Sequence, residues 1–292
     1  GVNGDDSSRI YSILQAAGID HLDIVVGSHA HEDHIGGLSG AFQIATADLV
    51  LSPVTEYDSK VFETFKSKAA EKGSGLTVPS AGSTYALGSA IVKILSLNGG
   101  EDTNDTSIIL KITYGETSFL FTGDAECDGE HTVLDCGAYL SATVLKAGHH
   151  GSDTSTCYPF LRAVMPQYAV ISVGAGNSYG HPADDTLSKL RDAGVEVFRT
   201  DLQGDIFCSS DGKTVSFETQ KQVNEEQLNP TVSDGSGQES HDSSGTYIGN
   251  INSLKFHRTS CSSLPKESNR VYFDSRSAAV NAGYVPCQRC NP

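Results

Sequence analysis

Through its first two hundred residues the chain alternates short β-branched apolar runs with longer amphipathic stretches. Runs with a two-residue period, bounded by Gly, Asn, Asp and Ser, predict strands at 23–27, 49–52, 90–97, 107–113, 118–122, 142–146, 168–173, 196–199 and 205–209. Apolar positions three and four apart predict helices at 9–17, 60–72, 158–163 and 183–193, the last closed by Gly194 as a C-terminal cap. The acidic stretch 127–136 reads as a loop. Strand pairs relieved by helices predict a layered α/β architecture. The longest apolar runs, such as 24–26, fall far short of the roughly 20 residues a membrane helix needs, so no integral membrane segment is predicted.

The pattern stops near residue 218. From 219 to 245 the chain is rich in Ser, Gly, Gln and acids and has almost no large apolar side chain. Such a stretch buries too little surface to offset its ordering entropy and is predicted to be a disordered acidic linker. The predicted organisation is a large domain (1–218), the linker (219–245) and a small domain (246–292). The small domain is too short for a hydrophobic core alone to hold it, so it should need a staple. The chain opens at Gly1 rather than Met and carries no basic-apolar leader, and is read as a fragment or processed product.

With 36 acidic and 20 basic side chains the formal net charge is −16. That makes the chain a poor general binder of phosphate backbones, while leaving room for a metal-assisted enzyme acting on phosphodiesters. The small domain runs the other way, with six basic and two acidic residues, a hint of contact with nucleic acid.

The densest chemistry follows the strand at 23–27: Ser28-His29-Ala30-His31-Glu32-Asp33-His34-Ile35-Gly36-Gly37. His29, His31, Asp33 and His34 put four potential metal ligands within six residues at a strand end, where a turn would fan them into one cleft. Imidazole suits zinc and other borderline metals, and carboxylate suits harder ones such as manganese.

This His-x-His-x-Asp-His run resembles the signature of the metallo-β-lactamase superfamily. Phe119-Leu120-Phe121-Thr122-Gly123-Asp124 resembles the strand that ends in its bridging aspartate. Leu145-Lys146-Ala147-Gly148-His149-His150-Gly151-Ser152 and Gly180-His181-Pro182 are similar to a narrower branch. That branch holds the nuclease-like domain of the ComEC DNA-uptake channel and the cell-wall phosphorylcholine esterases. The resemblance implies an αββα sandwich over about 9–218, N-terminally truncated because the family's opening hairpin has no counterpart here. It also implies two divalent metals, zinc or manganese, about 3.5–4 Å apart and sharing a hydroxide of lowered pKa. His29 and His31 would hold one with either His149 or His150. Asp33, His34 and His181 would hold the other, Asp124 would bridge, and Asp33 could instead act as a base or orienting group. No histidine lies between His34 and Asp124, where many members have one; the stretch reads Asn104-Asp105-Thr106-Ser107, as in the ComEC-like branch. Backbone N–H groups around Gly36-Gly37 and Gly151-Ser152 would suit an anionic substrate. Lys146 is either a further positive charge there or a solvated side chain.

Three of the seven cysteines close the chain. His257, Cys261, Cys287 and Cys290 form a His-x-x-x-Cys and a Cys-x-x-Cys pair, a closed donor set for one structural zinc. The tail resembles the metal-binding domain of the Ada DNA-repair protein, with His257 in place of a fourth cysteine. That exchange argues against methyl acceptance and for a structural α+β module. Cys127 and Cys136 could pair in an oxidising compartment, and the scarcity of lysine with the Ser/Thr/Gly richness points to a secreted or cell-surface setting, with the cytoplasm as the alternative.

The resulting expectation is a metal-dependent hydrolase of phosphodiesters, plausibly a DNA nuclease whose zinc module helps capture substrate. The alternatives are a small-molecule or cell-wall phosphodiesterase, a carbonyl hydrolase of β-lactamase type, and a non-catalytic DNA-binding scaffold that retains metal. No protein partner is inferable.

Overall fold

A computed structural model describes residues 4–100, 102–230, 246–251, 254–261, 264–287, 290 and 292. Strand β1 (His21–Val26) runs parallel to β2 (Thr46–Leu51), which pairs with the short β3 (Leu76–Thr77). The two-residue period of β1 divides its side chains between two layers. Val25 packs with Phe42, Phe62 and Phe65 of the helices Leu38–Ile44 and Lys60–Glu71. Ile24 and Val26 point the opposite way, into a cluster with Leu51, Ile94 and Leu110. The helix Lys60–Glu71 starts where Ser59 caps it, its side-chain oxygen accepting from the Phe62 N–H at 3.1 Å.

Strands β4 (Thr84–Leu87), β5 (Ala90–Ser96), β6 (Ile109–Tyr114), β7 (Thr117–Phe121), β8 (Val144–Lys146), β9 (Tyr168–Ile171) and β10 (Glu196–Arg199) form a second sheet in the order β10-β9-β8-β7-β6-β5-β4. It is antiparallel from β4 to β7 and parallel from β7 to β10. Val92, Ile94, Ile108 and Leu110 turn towards the first sheet. Leu95, Ile109, Leu120 and Leu145 turn outward beneath the helices Cys127–Asp135, Tyr158–Val164 and Asp184–Asp192. The large domain is therefore the helix–sheet–sheet–helix sandwich that the motifs implied.

The stretch 127–136, expected as a loop, is helical over Cys127–Asp135. Its acidic outer side hides the periodicity, while Glu130 and Val133 are buried on the inner side. The two Glu130 oxygens accept from the backbone N–H groups of Thr156 and Cys157, each at 2.7 Å. Nine residues of helix put Cys136 about 13 Å along from Cys127, beyond the roughly 7 Å Cα separation a disulfide can span. The sulfur that does come close to Cys127 is Cys157: both thiols and a Glu130 oxygen lie within 4.8 Å of one another.

A hairpin of β11 (Ile206–Ser210) and β12 (Val215–Thr219) follows, and then part of the segment read as linker folds onto the large domain. Asn224 caps the helical turn Glu225–Leu228, and Leu228 is buried. Arg191 donates to Asn229 Oδ1 and the Pro230 carbonyl, and Arg199 to the Leu228 carbonyl. Two arginines thus hold the chain on the large domain to residue 230, because they find carbonyls there that a free linker would leave in water. The rest of the expected linker, 231–245 with His241, lies outside the described residues.

The small domain is a sheet of β13 (Tyr247–Asn250), β14 (Lys255–Arg258), β15 (Arg270–Phe273) and β16 (Val285–Pro286), in the order β15-β13-β14-β16, with the helix Arg276–Asn281 packed on it. Its core of Phe256, Ala279, Val280 and Tyr284 is completed by Tyr158 of the large domain. Arg276 adds a hydrogen bond to Ser188 Oγ at 3.2 Å across the same junction. None of the described helices is long and apolar enough to cross a membrane.

Candidate metal centre

The predicted ligands come from the C-terminal ends of four strands, β1, β7, β8 and β9, where open α/β sheets commonly place their sites. The loop after β1 is fastened to the second sheet by the Ile108 N–H on the Ser28 carbonyl, at 2.8 Å. After β8 the chain turns through Gly148–Gly151 with His149 and His150 both left-handed, at φ of 45° and 54°. Side chains rarely adopt that conformation outside over-determined sites. Here Gly151 supplies the closeness: a Cβ on it would lie 2.7 Å from Pro182.

The turn throws the two histidine rings apart. His150 reaches inward, with Nε2 at 3.0 Å from Asp33 Oδ2, 3.2 Å from His34 Nε2 and 3.5 Å from Asp124 Oδ2. Its other nitrogen, Nδ1, donates to the Ser172 carbonyl at 2.7 Å. That bond leaves Nε2 as the nitrogen aimed at the carboxylates. His149 turns aside, with Nδ1 at 3.3 Å from Glu126 and its ring 5.7 Å from that of His181. His150, not His181, is therefore the histidine that joins Asp33, His34 and Asp124, whose ligand atoms together lie within 4.8 Å.

His29 and His31 form the adjoining half. His29 is fully buried, with Nε2 at 3.0 Å from His31 Nδ1 and 3.9 Å from Asp124 Oδ2. Asp124 Oδ2 is also 3.1 Å from His34 Nε2, so this carboxylate stands between the two halves. Its second oxygen, Oδ1, is buried with no protein partner, and so is His181 Nδ1. Acceptors buried this way are costly unless a cation or water meets them.

The electrostatics point the same way. Burial works to raise the Asp124 carboxyl, yet hydrogen bonds from His150 and His34 outweigh it and hold the group far below the usual range. The His150 hydrogen bond likewise holds Asp33 low. Burial lowers His150, but its bonds to Asp124 and Asp33 prevail and raise it to about 9. Burial, together with the neighbouring His34, draws His29 down to about 3, leaving a neutral imidazole. A neutral His29 beside two ionised carboxylates supplies donors for a divalent cation, and a cation bound there would take the place of the proton that Asp33 and Asp124 hold on His150, so the residues fit metal.

Other expectations change. Ser152 is buried and its N–H closes the turn on the His149 carbonyl at 2.8 Å, while the Gly151 carbonyl accepts from Ala183. Gly36 N–H is bonded to the Glu32 carbonyl. The Ser152 and Gly36 N–H groups therefore build the loops and are not free for an anion. Lys146 is not a solvated side chain: it is half-buried with Nζ on the Ala147 carbonyl, and burial lowers its ammonium against the opposing pull of Asp124. His21 is a surface residue paired with Asp48.

Several supporting residues had no signal in the sequence. Ser107 Oγ accepts from the Asp124 N–H at 3.0 Å and lies 3.3 Å from His29 Nδ1. Ser28 Oγ lies 3.0 Å from His34 Nδ1. Asn104 Nδ2 reaches Glu126, which in turn faces His149. The stretch lacking the superfamily's middle histidine thus props the centre through hydrogen bonds.

In the small domain His257, Cys261, Cys287 and Cys290 bring their ligand atoms within 4.8 Å of one another, three of them buried. His257 Nδ1 stands 3.4 Å from Cys261 Sγ, and the Cys287 N–H bonds the Phe256 carbonyl beside it.

Residues 4–175 match the family model described as Metallo-beta-lactamase superfamily. The chain belongs to the metallo-β-lactamase superfamily. The chain is 31% identical over 195 residues to ComE operon protein 3 of Bacillus subtilis, covering 66% of this chain and 25% of that protein. It is 32% identical over 194 residues to Competence protein ComA of Neisseria gonorrhoeae, covering 65% and 26%. Recombination protein 2 of Haemophilus influenzae is 28% identical over 200 residues, covering 68% and 23%. The chain thus spans about a quarter of the length of these relatives. Residues 240–292 match the model described as Metal binding domain of Ada. The two family matches indicate metals, each cluster has a donor set that suits one, and the large domain has the make-up of a metal-dependent hydrolase.

Proposed function

We propose that this metallo-β-lactamase domain is a two-metal phosphodiesterase that cleaves DNA, with the zinc-stapled tail helping to capture the strand. One observation carries the reading: Asp33, His34, Asp124 and His150 converge within 4.8 Å, with a buried, unpartnered Asp124 oxygen beside them. Asp33, His34 and His150 would hold one zinc or manganese ion, and His29 with His31 the other, with Asp124 shared. His149 and His181 flank the centre. When bound, such metals supply Lewis acidity towards phosphoryl oxygens and a water acidic enough to serve as a nucleophile near neutral pH.

The chain's own residues do the rest. Ser107 and Ser28 hold the imidazoles of His29 and His34, the Ser172 carbonyl fixes the tautomer of His150, and Lys146 adds positive charge behind Asp124. The names of two relatives, one for competence and one for recombination, favour DNA as the phosphodiester. The net charge of −16 favours a second reading, a small phosphodiester as substrate.

The test is hydrolysis of bis-p-nitrophenyl phosphate and of single- and double-stranded DNA, with zinc and with manganese, by wild type and Asp124→Ala. DNA cleavage that vanishes in the variant supports the nuclease. Cleavage of the small ester alone transfers the site to the second reading, and silence on both substrates overturns the hydrolase.

A further inference from the structure

Tyr179 is 81% exposed, although it sits two residues from His181, which flanks the centre. Its ring lies nearly parallel to His181, at 17° and 5.9 Å between centroids, and His181 in turn meets His149 at 5.7 Å. A scattered exposed aromatic means little, but this one is held in place. Asn177 Oδ1 accepts from the N–H groups of both Tyr179 and His181, at 3.1 and 3.0 Å. Asn177 Nδ2 donates to the carbonyls of His181 and Gly174, at 2.6 and 3.1 Å. One side chain thereby fixes the backbone that carries both rings. His181 lies offset and nearly parallel beside the tyrosine, and the exposure leaves a face of the ring to solvent.

From this geometry we infer that Tyr179 is a stacking platform for a nucleobase of the strand whose phosphate lies at the metal centre. The inference rests on the phosphodiesterase reading and adds the substrate class to it. Tyr179 stands outward of His181, which itself meets His149, so the base it would take lies along the strand from the phosphate at the centre. A flat ring with one open face suits a flat partner, and stacking of this kind tolerates any base. A quaternary ammonium group is instead held by a cage of several aromatic rings. Among the described residues no other exposed aromatic ring contacts a histidine in or flanking the centre. Exposed Tyr139 lies under Lys111, with Nζ 4.7 Å from its ring centroid. Stacking also needs little positive charge, which suits a domain as acidic as this one.

The test uses the full chain and measures binding, so it does not depend on turnover. A fluorescein-labelled, phosphorothioate-linked oligothymidylate, chosen to resist hydrolysis, is titrated by anisotropy beside an abasic strand of equal length. Wild type, Tyr179→Ala and Tyr179→Phe are compared, and the metal content of each is measured. The expected result is about tenfold weaker binding of oligothymidylate by Tyr179→Ala. Abasic binding and metal content should hold steady, and Tyr179→Phe should behave as wild type. Equal weakening on both strands, no weakening, or wild-type binding that ignores the bases overturns the platform. So does displacement of the oligonucleotide by millimolar choline from wild type but not from Tyr179→Ala, which would assign the ring to a cationic head group. The hydrolase reading stands or falls separately, on ester hydrolysis by wild type and Asp124→Ala.

Discussion

Ser107 offers the sharpest test of how the centre is supported. Its hydroxyl is buried, accepts from the Asp124 N–H at 3.0 Å and lies 3.3 Å from His29 Nδ1. Ser107→Ala removes the acceptor and leaves the Asp124 N–H in a site closed to water. An orphaned buried donor costs about 1–3 kcal/mol. The loss at His29 is partial, because Ser28 Oγ remains 3.3 Å from the same nitrogen. The expected total is therefore about 2 kcal/mol, worth about 4–8 °C in the melting temperature of a domain this size. Groups that orient metal ligands typically govern 10–100-fold in affinity, and Ser107 orients two candidates at once. Metal affinity is measured by chelator competition, and stability by thermal melts of the metal-free and loaded forms. Unchanged affinity with a lowered melt would reduce Ser107 to packing. Unchanged values in both would refute the reasoning.

Cys287→Ala should cost one zinc per chain and make residues 246–292 sensitive to protease while the metals of the large domain stay, as metal analysis and limited proteolysis will report. Treatment with oxidised glutathione, which takes up the two electrons, should join Cys127 to Cys157, and non-reducing peptide mapping that finds Cys127 joined to Cys136 would contradict the helix. Burial raises Glu130 to about 7, above the usual 4.5. A raised folded-state pKa means that its contribution is complete below about pH 4.5 and fades as pH rises through 7, by up to about 3 kcal/mol. Urea melts at pH 5 and pH 8 should therefore show a loss in wild type that Glu130→Gln lacks; equal losses in both would place the pH dependence elsewhere.

Much of this protein was legible before folding, wherever a few neighbouring residues carry the signal. The layered α/β fold follows from two-residue and helical periods, the resemblance of the motifs implied the sandwich, and a strand such as β1 sorts Ile24, Val25 and Val26 between layers by alternation alone. The ligands at 29, 31, 33 and 34 and the Cys-x-x-Cys of the tail are close in sequence, so the local turn that gathers them is written in their spacing. What sequence left open lies across long separations. The His149-His150 pair was undecided until two left-handed residues and the Ser172 carbonyl aimed only His150 at Asp33, 117 residues away. Ser107, Glu126 and the Cys157 neighbour of Cys127 were invisible for the same reason. Their roles depend on how loops at the ends of strands in two sheets are set against each other. The helix Cys127–Asp135 hid because its charged face dominates its composition, and only the packing of Glu130 and Val133 reveals the buried side. Spacing along the chain chose the ligands, and the register between sheets decided which of them meet.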